Sequence, residues 1–278
     1  MTNDSELLAA AMAGDIDAFQ RLFAAFQPQL KSFLYRLTAD RHDADDLTHD
    51  TFVRAFDKLK TYRGEAGLKT WVFRIGANLA RDAQRKKKPW PLDAQDRARS
   101  LAESRPDIQT AFYRAHVEDS RGAYDVAEHI DFCFTCIGKT LPIEQQIAVI
   151  LKDMYAFGRK EIATVLSMSE GVVKHLLHDG RKVLSQVFYE RCALVNKNGA
   201  CNQCSELAGI YNPRQAKREH LVKLEMVRAG ERTDDAEKLY ALRAGLVKFI
   251  HPLNSQGADL QDVIMQCTRM AVGEKDRL

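Results

Sequence analysis

Along most of this chain apolar residues recur every three or four positions, the spacing of a helix burying one stripe, and no stretch alternates apolar with polar residues. The pattern predicts an all-α protein. Asp15 opens a helix carrying Ala18, Phe19, Leu22, Phe23 and Phe26, interrupted at Pro28. Another carries Leu30, Phe33, Leu34 and Leu37 and stops before Asp40-Arg41. A third, from about Asp43, is expected to turn Leu47, Phe52, Val53 and Phe56 toward the core. The loop Tyr62-Arg63-Gly64-Glu65-Ala66-Gly67 leads into a further helix with Val72, Ile75, Leu79 and Ala83 as its buried stripe. From Pro89 to about Tyr124 the periodicity dissolves. Pro89-Trp90-Pro91 breaks the helix, and the residues beyond it read as a linker, partly extended, with weak helix around Ile108 to Val117. Order returns from about Asp125 to Phe188. Beyond lie a cysteine-bearing loop, Cys192 to Cys204, and a tail with helices near 214–229 and 234–250. Leu221, Leu224, Leu239, Leu242 and Phe249 mark the tail's apolar face.

The helix after the loop carries the most informative chemistry. Its polar face holds Arg74, Asn78, Arg81 and Arg85 beside Trp71 and Phe73, and it closes in Arg85-Lys86-Lys87-Lys88. Cations neutralise phosphates, and exposed aromatics stack on unpaired bases, so the combination suits melting DNA better than a closed duplex. Taken alone, the segment also fits a solvated basic helix end with its aromatics in the core.

Residues 158–187 fit a helix-turn-helix. Ala163 sits where two helices approach closely, Ser169 is placed to cap the second helix, and Val172 or Val173, Leu176, Leu177 and Leu184 are its buried positions. Lys174, His175, His178, Arg181 and Lys182 are left to face DNA, whose major groove such a helix enters by its N-terminal part. A trihelical protein-interaction domain is the alternative.

With 278 residues the chain is long enough for two or three small domains, and a net charge of +3 makes its basic clusters local. No segment approaches the ~18 apolar residues of a membrane span. The start Met1-Thr2-Asn3-Asp4-Ser5-Glu6 is too polar for a signal peptide, which places the protein in the cytoplasm with no membrane partner. There is no His-Glu-x-x-His, glycine-rich phosphate loop or Ser/His/Asp arrangement, so an enzyme is not expected.

Together these blocks resemble an extracytoplasmic-function (ECF) sigma factor of the sigma-70 family, over roughly residues 13–188. Asp43-Ala44-Asp45-Asp46-Leu47-Thr48-His49-Asp50-Thr51-Phe52 is similar to the polymerase-binding helix of region 2. The resemblance implies that Asp45, Asp46, Leu47, His49, Asp50 and Phe52 contact core RNA polymerase. Residues 62–69 resemble the loop that captures a flipped base of the −10 element, and the run from Thr70 to Lys88 resembles the promoter-melting helix. By this likeness Tyr62, Arg63, Lys69, Trp71, Arg74, Asn78, Arg81, Arg85, Lys86 and Lys87 meet promoter DNA. Leu141-Pro142 and the helix-turn-helix resemble region 4, which reads the −35 element with Ser169, Lys174, His175, His178 and Arg181.

The implied organisation is region 2 at 5–88, a linker at 89–124, region 4 at 125–190 and an extension at 191–278. An anti-sigma factor is a further implied partner. His49, Gln146, Leu176 and Asp179 depart from residues frequent in the family, and Gly180 weakens the recognition helix by about 1 kcal/mol relative to Ala. These departures imply an unusual −35 sequence. A free-standing helix-turn-helix regulator is the alternative function, but leaves the acidic and melting helices without a purpose.

Six cysteines remain, most of them outside these motifs. His129, Cys133 and Cys136 are spaced H-x3-C-x2-C. The core stripe there is Ile130, Phe134, Ile137 and Leu141, which leaves His129 and Cys136 pointing elsewhere. Cys192, Cys201 and Cys204 form C-x8-C-x2-C. Four of Cys133, Cys136, Cys192, Cys201 and Cys204 are candidate ligands for tetrahedral Zn2+; a thiol-disulfide switch and plain packing are the other readings. Cys267, on the stripe with Leu260, Val263 and Ile264, reads as a small core residue.

Overall fold

The computed structural model describes residues 4–85, 87–117, 126–192, 201, 236–248, 250–255 and 257–275. Among them every regular element is helical, apart from a single bridge between Cys192 and Cys201. Two compact units form: residues 1–88 with 147–177, and residues 89–146 with 178–278.

The first unit begins with α1 (Asp4–Met12), α2 (Ile16–Ala24), α3 (Gln27–Thr38), α4 (Arg41–Asp57) and α5 (Leu68–Gln84). Asp15 caps α2, its carboxylate accepting from the amides of Asp17 and Ala18 at 2.9 and 3.0 Å. Pro28 falls in the first turn of α3, where its missing N–H is harmless. Ala39 closes α3 in the left-handed conformation at φ 58°, and Asp40 caps α4 through the amide of Asp43. Leu30, Phe33, Leu34, Leu37, Val72 and Phe73 are fully buried. Gly76 lets α5 approach closely: a Cβ there would stand 3.1 Å from Leu30 and 3.2 Å from Thr51. The stripe of α4 is Ala44, Thr48, Thr51 and Ala55, one step away from the expected one. Val53 is 41% exposed, and Phe52 and Phe56 are half-buried against Phe19.

The same unit takes in α10 (Arg159–Leu166) and the start of α11 (Glu170–Arg191). Tyr155 accepts a hydrogen bond from buried Arg36 and stacks edge-on with Phe33, while Phe157 lies against Phe73 at 5.1 Å. Of the residues expected as region 4, 147–177 cluster with the N-terminal helices and the rest with the second unit.

The second unit holds α6 (Ala94–Ser104), α7 (Pro106–Val117), α8 (Val126–Gly138), most of α9 (Ile143–Val149), the end of α11, α12 (Ala236–Val247) and α13 (Ala258–Ala271). The expected partly extended linker is instead helical and packed. Ala98 and Ile108 bury against Cys267, with Leu101, Ala102, Phe112, Met270 and Ala271 around them. Alanine supplies much of this contact, so the stripe is too weakly hydrophobic to stand out in sequence. Trp90, 3% exposed, donates its indole N–H to Glu274 at 2.6 Å. His129 and Cys136 are buried, a correction to their expected outward direction. His129 stacks on Phe132 and pairs through Nδ1 with Gln261 at 3.3 Å, and burial holds its pKa down at about 4. The expected helix at 214–229 and Phe249 lie outside the described residues.

Candidate nucleic-acid interface

Loop 62–67 is tied by the Tyr62 hydroxyl, which donates to the Ala66 carbonyl at 2.7 Å. The Tyr62 ring rests on Trp71 at 5.4 Å, and burial raises its phenol pKa. Both rings are half-buried, so each keeps a surface that a base can meet. Arg63, Arg74, Asn78 and Arg85 are exposed, and Arg81 donates to Asn78 at 3.4 Å. Lys87 reaches Asp43 at 4.0 Å, and the Lys86 side chain lies outside the described residues.

Two expected members of the α5 surface stand differently. Phe73 is core rather than a stacking platform, and Ala83 is exposed rather than buried. The buried stripe of α5 is broad, from Val72 and Phe73 through Gly76, Ala77 and Ala80 to Gln84. Lys69 turns toward α10: its ammonium sits 4.9 Å above the Phe157 ring and 5.8 Å from Phe73. Desolvation lowers its pKa, opposed by the charge of Glu161. Glu161 accepts from Thr70 Oγ1 at 3.1 Å and from the Gly158 amide at 2.7 Å, so one carboxylate caps α10 and fastens it to α5. Sequence patterning does not reveal this pairing, although glutamate three residues into a helix is the capping-box signal.

On α4, Asp46, His49, Asp50 and Val53 are all exposed and share one face at helical spacing. Asp45 is exposed but paired with Lys31, and Leu47 and Phe52 are half-buried. The surface is acidic with an apolar residue in line. Such a mixture suits a protein partner better than solvent.

In the helix-turn-helix, Ser167 takes φ 57° and the Met168 amide donates to Ala163 at 3.0 Å. Ser169 Oγ accepts from the Val172 amide at 3.3 Å, capping α11. Val173 is the buried valine, and Val172 is 44% exposed. Lys174, His175 and His178 are exposed and Arg181 is half-buried. Asp179 pairs with His178 at 3.0 Å, placing a carboxylate among these exposed residues.

Cys133, Cys192 and Cys201 line one pocket of the second unit with Phe188, Arg191 and Arg243, about 410 Å³ with open solvent at its mouth included. Cys136 is buried, within electrostatic reach of Cys201 and Arg191. Among the described residues no three His, Cys, Asp or Glu side chains form a group able to hold a metal, and Cys204 lies outside them.

Family models match two segments of the chain. Sigma-70 region 2 matches residues 22–89, and Sigma-70 region 4 matches residues 133–184. The chain belongs to the sigma-70 family. Within that family it is an ECF RNA polymerase sigma factor. It is 28% identical over 174 residues to the ECF sigma factor SigW of Bacillus subtilis, covering 62% of this chain and 89% of that protein. It is 29% identical over 174 residues to SigM of Mycobacterium tuberculosis, covering 62% and 78%. Among solved structures, CnrH in complex with the cytosolic domain of CnrY matches at a TM-score of 0.48 and 22% identity, over 66% of this chain and 96% of that one.

Proposed function

We propose that the chain joins core RNA polymerase through the α4 face of Asp46, His49, Asp50 and Val53 and directs it to promoters. An acidic, partly apolar face is what a basic clamp surface pairs with, and charge complementarity there sets partner choice and association rate. Loop 62–67 and Trp71 receive an unstacked −10 base, with Asn78 at its edge and Arg63, Arg74, Arg81, Arg85 and the Lys86-Lys87 end on phosphates. The start of α11, with Ser169, Lys174, His175, His178 and Arg181, reads the −35 element in the major groove.

The protein acts in the cytoplasm as an initiation factor without catalytic chemistry of its own, under control of an anti-sigma partner. No described helix is long and apolar enough to cross a membrane. The observation that carries this reading is the half-buried Tyr62–Trp71 pair at the head of a helix whose open face is cationic. Binding of both −10 and −35 elements requires α10 to release Lys69 and Thr70, because α5 and α10 use the same side chains for each other.

Transcription with purified core polymerase on a library of genomic fragments tests the proposal. Start sites sharing −10 and −35 motifs, dependent on the added chain, are the expected result. Tight, sequence-specific binding of duplex DNA by the chain alone, with no transcription, would favour the free-standing regulator.

A further inference from the structure

We infer that Cys192 and Cys201 are a dithiol which hydroperoxides oxidise to a disulfide, inside the arginine-lined pocket of the second unit. The two residues face each other across a parallel bridge, the Cys201 amide donating to the Arg191 carbonyl at 2.8 Å. Backbones so paired lie about 4.8 Å apart, within the roughly 4.4–6.8 Å between Cα atoms that a disulfide spans. Cys133 lines the same pocket from α8.

Two arginines, Arg191 and Arg243, stand in the wall of this pocket. Arg243 is 1% exposed, stacked over Phe188 at 4.7 Å, and its Nε and Nη2 have no hydrogen-bond partner among the described residues. A buried guanidinium in that position favours an anion beside it, and the hydroxide that departs when a peroxide is reduced is one. Arg191, also lining the pocket, is held by Asp96 at 2.6 Å and adds a second cation. Cys192 and Cys201 are each partly exposed.

Two other cysteines make the contrast. Cys136 and Cys267 are buried, and desolvation pushes their thiols up to about 12 and about 11, so they stay protonated and unreactive. In the reaction the Cys192 thiolate attacks one peroxide oxygen, the O–O bond breaks and hydroxide leaves, giving a sulfenic acid. The Cys201 thiolate attacks that sulfur, the S–S bond forms, the S–O bond breaks and a second hydroxide leaves. Both hydroxides take up the protons released by the two thiols. One hydroperoxide is reduced and one dithiol oxidised.

The test treats the reduced full chain with one equivalent of hydrogen peroxide, then maps it by trypsin and mass spectrometry. Cleavage after Arg191, Lys197 and Arg214 isolates peptides 192–197 and 198–214, the second holding both Cys201 and Cys204. Their crosslink, lighter than the separate peptides by two hydrogens, is expected in the unaltered chain and in Cys204→Ser and Cys133→Ser. It should vanish in Cys192→Ser and Cys201→Ser. Arg243→Met should slow its formation by about tenfold, because the departing hydroxide then lacks its neighbouring cation.

A crosslink that survives Cys201→Ser, or is lost in Cys204→Ser, overturns the pairing. So does a preparation carrying one equivalent of zinc whose thiols resist peroxide, which would make the cluster a metal site. Six thiols still titratable after peroxide overturn it in favour of plain packing.

Discussion

Replacing Phe157 by alanine removes the ring on which the α5–α10 contact is centred. Phe157 is 3% exposed, packs on Phe73 at 5.1 Å and lies under the Lys69 ammonium at 4.9 Å. Truncation of a buried phenylalanine destabilises by about 3–5 kcal/mol, of which the cation–π contact contributes roughly 1 kcal/mol. At 1.4 kcal/mol per factor of ten, a loss of about 3 kcal/mol accelerates amide exchange in α10 roughly 100-fold. The Lys69 pKa, lowered by burial, should climb toward its ordinary value once water reaches the ammonium. Native-state hydrogen exchange with lysine NMR titration measures both. Since Lys69 and Thr70 are then available to DNA, the variant should also bind a single-stranded −10 oligonucleotide more tightly. Exchange in α10 changed by less than about fivefold would refute the reasoning, because it would mean that Phe157 does not hold α10 in place.

Asp46→Arg with Asp50→Arg should abolish co-purification with core polymerase, since a basic clamp would then face like charge; normal yield would mean that the polymerase surface lies elsewhere. Trp71→Ala and Asn78→Ala should preserve polymerase binding but impair promoter opening. The loss of one stacked base is worth about 1–3 kcal/mol, and permanganate reactivity of promoter thymines is the readout. His129 is neutral when folded, its pKa depressed to about 4. The stability it contributes is therefore present above pH 6.5 and lost as pH falls toward 4, on the order of 3 kcal/mol in all. His129→Gln should flatten that part of the pH–stability profile; an unchanged slope between pH 6.5 and 4 would count against it.

Large apolar residues make the N-terminal helices legible in the sequence. Leu30, Phe33, Leu34 and Leu37 mark α3, and Asp15 and Pro28 set boundaries by chemistry that acts within one turn. Stripes built of small or polar residues mislead. In α4 the buried positions are Ala44, Thr48, Thr51 and Ala55, so the larger Val53 reads as core though it faces out. The α6 contact hides for the same reason, resting on Ala94 and Ala98. Phe73 shows a different limit. A helical wheel gives it a direction but not whether another element covers that direction, and Phe157, 84 positions away in sequence, does so. In α5 the charged positions are readable because solvated cations need no partner. The engagement of Lys69 and Thr70 is not, since it depends on a distant glutamate. The cysteine cluster is visible as spacing, whereas the arginine that gives it a chemical character, Arg243, lies 42 residues beyond Cys201 and belongs to no motif.

The first unit draws its walls from two separate stretches of chain, 1–88 and 147–177. Expressed alone, 1–88 would leave Phe33 and Phe73 without Tyr155 and Phe157 over them, an apolar surface prone to self-association. The missing wall can be supplied in trans. Separately produced fragments 1–117 and 126–278 carry complementary halves of one core, and mixing them should reconstitute it by fragment complementation. With each fragment fused to half of a reporter, assembly of the pair would give a direct signal for re-formation of the divided core.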